Sequence, residues 1–181
     1  MKSIGRMAFA ILVFLSCCVS QAQQGSANHS WDSWKFLVGD WVGEGGGGPG
    51  QGNGKFSFSI DLQGAVLVRK NHAEYPATKD RAAYAHDDLM VVYVDSATKQ
   101  KRAFYTDSER HVIQYAATLS SDGRTVIFLS DPQPGSPRYR LTYTESQPGH
   151  LRIAFEIASS DKPQQFERYI EAEAIRSKEF R

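Results

Sequence analysis

Apolar and polar residues alternate with a period of two along much of the chain. The alternation is strict in residues 56–62 and again in residues 151–157. Because successive side chains of a β-strand point to opposite faces, each such run predicts a strand with one buried and one solvated face. Turn-forming residues separate the runs at a spacing of roughly ten residues, which is typical of an all-β sandwich or barrel.

Ten strands are predicted from these patterns. They span Trp41–Glu44, Lys55–Leu62, Ala65–Glu74, Asp87–Asp95, Lys101–Thr106, His111–Leu119, Thr125–Ser130, Arg138–Glu145, Leu151–Ala158 and Phe166–Ala174. No helical pattern is long enough to cover a sheet, so the sheet must bury its apolar face against itself. Closure also removes exposed edges. The predicted fold class is therefore all-β: a single antiparallel up-and-down β-barrel of about ten strands with a short N-terminal helical plug.

The plug is predicted where Trp31, Trp34 and Leu37 or Val38 share one face of a short turn, with Asp32 or Ser30 as its cap. It leads directly into Gly39-Asp40-Trp41 at the start of the first strand. We expect order to begin near residue 31, the barrel to span residues 31–176, and residues 177–181 to form a tail.

Connection lengths predict two different ends of the barrel, because successive connections of a meander fall at alternate ends. Tight turns at residues 63–64, 96–100, 120–123 and 146–149 fall at one end. Residues 45–54, 75–86, 107–110, 131–137 and 159–165 fall at the other, and most of these are long. We therefore expect a closed end that carries the plug and an open mouth through which a ligand enters.

Residues 1–22 have the composition of a signal peptide. Lys2 and Arg6 precede an apolar run from Met7 to Leu15, and Ser20-Gln21-Ala22 supplies small residues for cleavage. Export to the periplasm or the exterior is expected, followed by a flexible lead-in at residues 23–30. The apolar run is too short for a stable transmembrane anchor. Lipidation at Cys18 is the less favoured alternative, because Cys17 is atypical before a modified cysteine.

Cleavage after Ala22 would also remove Cys17 and Cys18, the two cysteines of the chain. No disulfide or cysteine ligand is then expected. Loss of Lys2 and Arg6 would turn the formal charge from +1 to −1. Without a basic excess to neutralise phosphates, nucleic acid is not an expected partner. The sequence leaves the oligomeric state open.

Several of these features together resemble one group of proteins. Gly39-Asp40-Trp41 after a helical turn, a glycine-rich first loop, a meander of strands and an arginine on the last strand resemble the calycin superfamily, which includes lipocalins, fatty-acid-binding proteins and nitrobindin-like haem barrels. Residues 86–95, 104–115 and 136–143 are most similar to uncharacterised lipocalin-like domains of secreted bacterial proteins. The resemblance covers roughly residues 34–175 and implies a barrel with a ligand in its lumen.

The resemblance also implies a structural pair at the closed end. In lipocalins the tryptophan of this motif packs under an arginine that caps the plug. The matching residues are Trp41, after Gly39, and Arg168, with Arg176 as the second choice. Arg168 is in phase with Phe166, Ile170 and Ala172, which predicts that it points inward.

Polar residues inside an otherwise apolar pocket are the candidates for ligand binding, because a few convergent polar groups orient an amphipathic ligand. The predicted set is Arg69, His72, Tyr93, Tyr105, His111, Tyr115, Tyr139 and Tyr143. Alternation leaves open whether Arg69 faces the lumen, since Val66 and Val68 flank it. His72, His86 and His111 fall at the mouth, where a metal, haem or acid–base site is one interpretation and solvated loop residues are the favoured one.

Other chemistry has little support in the sequence. The glycine-rich residues 43–55 contain G-x-G-x-x-G, but a strand follows where phosphate binding requires a helix. Nucleophile-elbow and His-Glu-x-x-His motifs are absent from the sequence, and no catalytic or metal-binding residue is assigned. The hypothesis is a barrel that binds a small hydrophobic or amphipathic ligand. The alternatives are a calycin-type enzyme that acts on a small organic acid through tyrosine, histidine and arginine, and nitrobindin-like haem binding.

Overall fold

The computed structural model describes residues 31–44 and 53–177, except for the side chain of Asn53. The predicted signal peptide and lead-in, most of the glycine-rich loop and the last four residues of the tail lie outside the described residues.

The described chain is a closed antiparallel barrel, which confirms the predicted fold class. Its strands are β1 (Gly39–Glu44), β2 (Asn53–Asp61), β3 (Val66–Tyr75), β4 (Tyr84–Val94), β5 (Lys101–Asp107), β6 (Val112–Leu119), β7 (Thr125–Ser130), β8 (Arg138–Gln147), β9 (His150–Ala158) and β10 (Glu167–Arg176). Each strand pairs with its neighbours in sequence, and β1 pairs with β10 to close the ring. The predicted strands are all present, with ends shifted by a few residues.

Short 3-10 turns lie at the closed end of the barrel. The first, Asp32–Trp34, is the predicted plug, and the second, Leu62–Gly64, joins β2 to β3. They are linked because Trp31 Nε1 donates a hydrogen bond to the carbonyl oxygen of Gly64 over 2.9 Å. Trp34 packs edge-on against Phe128 of β7 at 6.0 Å between ring centroids. The plug therefore seals the same end as the tight turns.

Aromatic side chains fill the closed half of the barrel. Tyr143 lies at their centre and contacts the rings of Phe56, Phe58 and Phe128 at 5.4–6.3 Å between centroids. All four side chains are buried. This packing leaves the open half as the part of the lumen that a ligand could reach.

Candidate functional site

Trp41 closes the bottom of the barrel. It is fully buried, its Nε1 donates to the carbonyl oxygen of Leu37 over 2.8 Å, and its ring stacks on Phe56. The guanidinium carbon of Arg176 lies 4.3 Å from the centroid of the Trp41 ring. Arg176 also donates hydrogen bonds to the carbonyl oxygens of Val38 and Phe36. The structure thus contains the tryptophan–arginine pair that the resemblance implies, with Arg176, the second choice, as its arginine.

The prediction that Arg168 points inward and covers Trp41 is wrong. Its Cα is paired with Glu156, and a β-bulge separates it from Ile170, which is paired with Phe155. The extra residue at the bulge, Tyr169, reverses the inward and outward phase of β10 between Arg168 and Ile170. Arg168 consequently lies on the outer face, where it is half exposed and forms an ion pair with Glu171 at 2.7 Å.

Gly39 has a conformation that fits its predicted structural role. Its φ is +132°, a region that favours glycine. A Cβ at this position would overlap Nη1 of Arg176. Glycine is therefore required by its own backbone, and any larger residue would also have to displace the guanidinium that covers Trp41.

A polar wall lines one side of the lumen along β3, β4 and β5. Paired residues share a face of the sheet, and the register places Asn71 beside Asp88 and Asp88 beside Asp107. Arg69 and Tyr105 both pair with Met90, one on each side of it. We define the polar wall by six inward-facing residues: Arg69, Asn71, His86, Asp88, Tyr105 and Asp107.

A buried ion pair is the centre of the polar wall. Arg69 Nη1 donates to Asp88 Oδ1, and the two side chains are 9% and 5% exposed. Asn71 Nδ2 donates to Asp88 Oδ2 over 3.0 Å. Burial alone would raise the pKa of Asp88, but the charge of Arg69 and the contacts from His86 and Asn71 outweigh it and lower the pKa. Loss of one partner from such a pair typically costs about 3–5 kcal/mol of stability.

His86 connects this ion pair to the rim of the mouth. Its Nε2 lies 3.5 Å from Asp88 Oδ2 and 3.4 Å from the Tyr105 hydroxyl. Its Nδ1 lies 3.2 Å from Oε1 of Glu109, in the loop between β5 and β6. The hydrogen bond to Asp88 is the largest of the effects that raise the pKa of His86, and Glu109 adds to it against the opposing effect of burial. The polar groups therefore form a continuous path from the lumen to the rim.

Tyr105 and Asp107 extend the polar wall along β5. The Tyr105 hydroxyl donates to Asp107 Oδ2 over 3.2 Å, and burial raises the pKa of Tyr105, so that it stays protonated at neutral pH. Asp107 also accepts from the backbone of Glu109 and His111. These contacts hold the rim loop against the polar wall.

Two buried polar atoms at the bottom of the site lack a hydrogen-bond partner among the described residues: Arg69 Nε and the Tyr143 hydroxyl oxygen. The Arg69 guanidinium carbon lies 5.9 Å from the centroid of the Tyr143 ring. Burial raises the pKa of Tyr143 to about 12, against the opposing charge of Arg69, so its hydroxyl is a proton donor at neutral pH. An unsatisfied buried group costs about 1–3 kcal/mol, which a ligand or water with an acceptor atom could recover.

An apolar wall forms the opposite side of the lumen. Register pairs place its residues on the inner faces of β8, β9 and β10. Tyr139 and Phe155 stack at 5.9 Å between ring centroids. These side chains point inward yet are partly accessible to solvent, so solvent reaches the lumen at this level. We define the apolar wall by Tyr139, Ile153, Phe155, Ile170 and Ala172.

The structure brings most of the predicted ligand-binding residues into the barrel. Arg69 and Tyr105 lie in the polar wall, Tyr139 lies in the apolar wall, and Tyr115 and Tyr143 lie in the buried interior. The orientation of Arg69, which alternation leaves open, is resolved because Arg69 pairs with the inward-facing Phe58.

Three predicted ligand-binding residues lie elsewhere. His72 is on the outer face of β3, where Asp87 and Glu74 contact its ring nitrogens. Tyr93 is also on the outer face, one residue beyond the buried Val92. His111 is an exposed rim residue whose Nδ1 contacts Asp107 at 2.8 Å. The connection lengths correctly predict that both histidines lie at the open end of the barrel. They contain no information about whether a side chain points into the lumen or away from it.

Asp88 and Asn71 were absent from the predicted set. The signal for Asp88 is the alternation His86-x-Asp88-x-Met90-x-Val92, but its inward phase follows only from the pairing of Met90 with Arg69. The apolar run Leu89–Val92 hides that phase, because both faces of β4 are apolar there.

A shallow groove on the outer face is a weaker candidate site. It crosses β1, β2 and β3 and includes Lys55, Lys70 and His72 together with Asp40 and Asp87. Its charges have both signs, and His72 is already paired with Asp87. Nothing in this arrangement selects a ligand.

The lumen histidine of the described residues has polar neighbours at both ring nitrogens, which disfavours it as a metal or haem ligand. No group of three or more His, Cys, Asp or Glu residues in the described part could hold a metal ion. Within residues 31–44 and 53–177, His86 is the one histidine on the lumen face, and both of its ring nitrogens already face polar partners. A proximal haem ligand needs a free imidazole nitrogen directed at the iron.

Comparisons with known proteins add little about function. No family model matches the chain, and no curated protein matches it. Among solved structures, the chain is similar to one described as EF1p2_mFAP2b bound to DFHBI, at 12% identity and a TM-score of 0.29. That similarity covers 84% of this chain and 100% of the other. Across the described residues, no helix is both long and apolar enough to cross a bilayer.

Proposed function

We propose that this protein is a calycin-like binding protein that holds a small hydrophobic or amphipathic molecule in the open half of its lumen. The observation that carries the proposal is the pairing of the polar wall with a partly accessible apolar wall on the opposite side. A cavity with one apolar surface and a few fixed polar groups binds and orients an amphipathic ligand. The assignment rests on the site, because a barrel fold alone hosts many functions.

Native mass spectrometry of the purified protein, followed by organic extraction, tests for a ligand that co-purifies with it. Binding of an uncharged fluorescent probe, N-phenyl-1-naphthylamine, to the extracted protein tests the lumen directly. Ala172→Trp, which fills the lumen from β10, should abolish probe binding. Ala154→Trp is the matched control, because Ala154 lies on the outer face of β9, opposite Thr142 and Glu171. Equal probe binding by both variants would contradict a lumenal site.

The enzyme alternative is less favoured by the same geometry. His86 and Tyr105 lie within 3.4 Å and could exchange a proton with a substrate. A small organic acid, however, would need a free cation, and Arg69 is already paired with Asp88. Turnover that Tyr105→Phe abolishes without loss of folding would favour the enzyme over the carrier.

We also propose that the protein acts outside the cytoplasm, on the basis of the composition of residues 1–22. Fractionation of expressing cells should place it in the periplasm or the medium, with Gln23 as the first residue. A lipid-modified N-terminus at Cys18 would instead make it a lipoprotein. Unprocessed protein that stays in the cytoplasm would contradict both.

A further inference from the structure

The charge balance of the polar wall determines which polar group a ligand can bring into the lumen. Arg69 is the cation of this wall, and its Nη1 is bound to Asp88. Asp107, whose side chain is 4% exposed, adds a second carboxylate from the neighbouring strand. Two further cations lie at the closed end, where Arg176 covers Trp41 and Lys101 covers Trp31. When the imidazole of His86 is neutral, a carboxylate that reaches the polar wall would therefore meet two carboxylates and one guanidinium.

The hydrogen-bonding groups of the site also favour an uncharged ligand. Asp88 is already contacted by Arg69, Asn71 and His86, so both of its oxygens have partners within the protein. Three buried side-chain atoms of the described residues have no hydrogen-bond partner, namely Arg69 Nε, the Tyr143 hydroxyl and Arg138 Nε, and all three are donors. The side chains of Arg69 and Tyr143, at the bottom of the site, are more than nine-tenths buried. A group that satisfies them needs an acceptor oxygen and needs no charge.

We propose that the lumen selects uncharged amphiphiles with an oxygen acceptor at the polar end, such as alcohols, ketones or esters, and that Asp88 excludes fatty-acid carboxylates. The proposal deepens the binding function above and rests on it. Asp88 acts here as a specificity determinant: it neutralises Arg69, which would otherwise attract an anion. A buried guanidinium without a carboxylate partner is a strong carboxylate-binding group.

A competition experiment with ligands of equal chain length tests this selectivity. The extracted protein is loaded with N-phenyl-1-naphthylamine and titrated at about pH 8, where a fatty acid is ionised, with 1-decanol, 2-decanone or decanoate. Like charges placed together at a buried site disfavour binding strongly, so decanol and decanone should displace the probe at concentrations at least about tenfold lower than decanoate. Asp88→Asn should reverse this order by raising the affinity for decanoate at least about tenfold.

Asp87→Asn is the matched control, because it removes the same charge one residue away. Asp87 lies on the outer face and its side chain is 64% exposed, so its loss should leave the ligand order unchanged. Circular dichroism and urea unfolding establish that each variant is folded. If Asp88→Asn does not fold, the wild-type comparison of the three ligands still tests the selectivity of the lumen, and equal or tighter binding of decanoate overturns it.

The outcomes separate the two proposals. Preference for the alcohol and the ketone, lost in Asp88→Asn, supports the assignment of Asp88. Equal or tighter binding of decanoate by the wild-type protein overturns that assignment and leaves lumenal binding intact. Failure of the probe and of all three ligands to bind overturns the carrier function itself.

Discussion

At the scale of single residues, the closed end depends on Gly39. Its φ of +132° is strained for any other residue, and a Cβ at this position would displace Arg176 Nη1. Gly39→Ala should lower the free energy of unfolding by about 2–4 kcal/mol, since backbone strain and displacement of Arg176 add together. Urea denaturation measures the change.

Gly135→Ala is the control for this substitution. Gly135 also has a positive φ, +73°, but nothing lies within 4 Å of a Cβ built there. It should cost only the conformational penalty, about 1 kcal/mol. Equal losses for the two variants would show that the contact with Arg176 is unimportant.

The arginine over Trp41 provides a second comparison at this scale. Arg176→Met removes two hydrogen bonds to plug carbonyl oxygens and the contact with the indole ring. We expect a loss of about 2–4 kcal/mol, because a hydrogen bond from a charged group contributes about 1.5–3 kcal/mol. Arg168→Met removes an arginine from the same strand that holds only an exposed ion pair, which should cost less than about 1 kcal/mol. Thermal unfolding that ranks the two variants the other way would restore Arg168 as the capping residue.

At the scale of strands, alternation predicts where the strands lie. It predicts which side chains point inward only where apolar and polar residues alternate strictly. The strict pattern of β9 gives its inner face directly, since Ile153 and Phe155 do point inward. In β10 the bulge at Tyr169 changes the phase after Arg168, and no residue in the sequence marks that change. The polar wall could not be predicted from alternation either. Asp88 and Arg69 belong to different strands, and only the register of β3 and β4 brings them together.

The strand pair β4 and β5 also gives the barrel a pH dependence through His86. Asp88 and Glu109 raise its pKa, and Asp107 acts in the same direction. A raised folded-state pKa means that His86 contributes stability fully below about pH 6.5, and that this contribution is lost as the pH rises through the folded-state pKa. Urea unfolding from pH 5 to 8.5 should show this decline in the wild-type protein and a shallower one in His86→Gln.

His72→Gln is the control for this titration. The pKa of His72 is raised by hydrogen bonds that its ring donates to Asp87 and Glu74, but the ring lies at the solvated outer face, where charges are screened. His72 should therefore account for less of the loss of stability with rising pH than His86 does. Parallel stability curves for the wild-type protein and His86→Gln would contradict a coupled role for His86 in the polar wall.

At the scale of the whole molecule, the closed and open ends were predictable because the lengths of the connections between strands can be counted in the sequence. A chain with no covering helix must close its sheet, and the tight turns identify the sealed end. The chemistry of the lumen was not predictable in the same way. It arises where Arg69, Asp88 and Tyr143 meet across strands that are distant in sequence.

Neighbouring strands of the barrel are paired over different lengths. Among the described residues, β1 pairs with β10 over Trp41–Glu44, whereas β3 pairs with β4 along the whole of Val66–Tyr75. Local opening requires less free energy where fewer hydrogen bonds and buried contacts must be broken. Backbone amides of β1 and of the facing part of β10 should therefore exchange with solvent deuterium faster than those of β3 and β4.

Arg176 should hold this seam together, because it lies in β10 and also caps the plug that precedes β1. Arg176→Met should accelerate hydrogen exchange at the seam while leaving the β3–β4 pair close to its wild-type rate. Arg168→Met, beyond the bulge, should leave both unchanged. Uniform acceleration around the whole barrel would mean that the ring opens as a single cooperative unit, and that the β1–β10 seam is not its weakest joint.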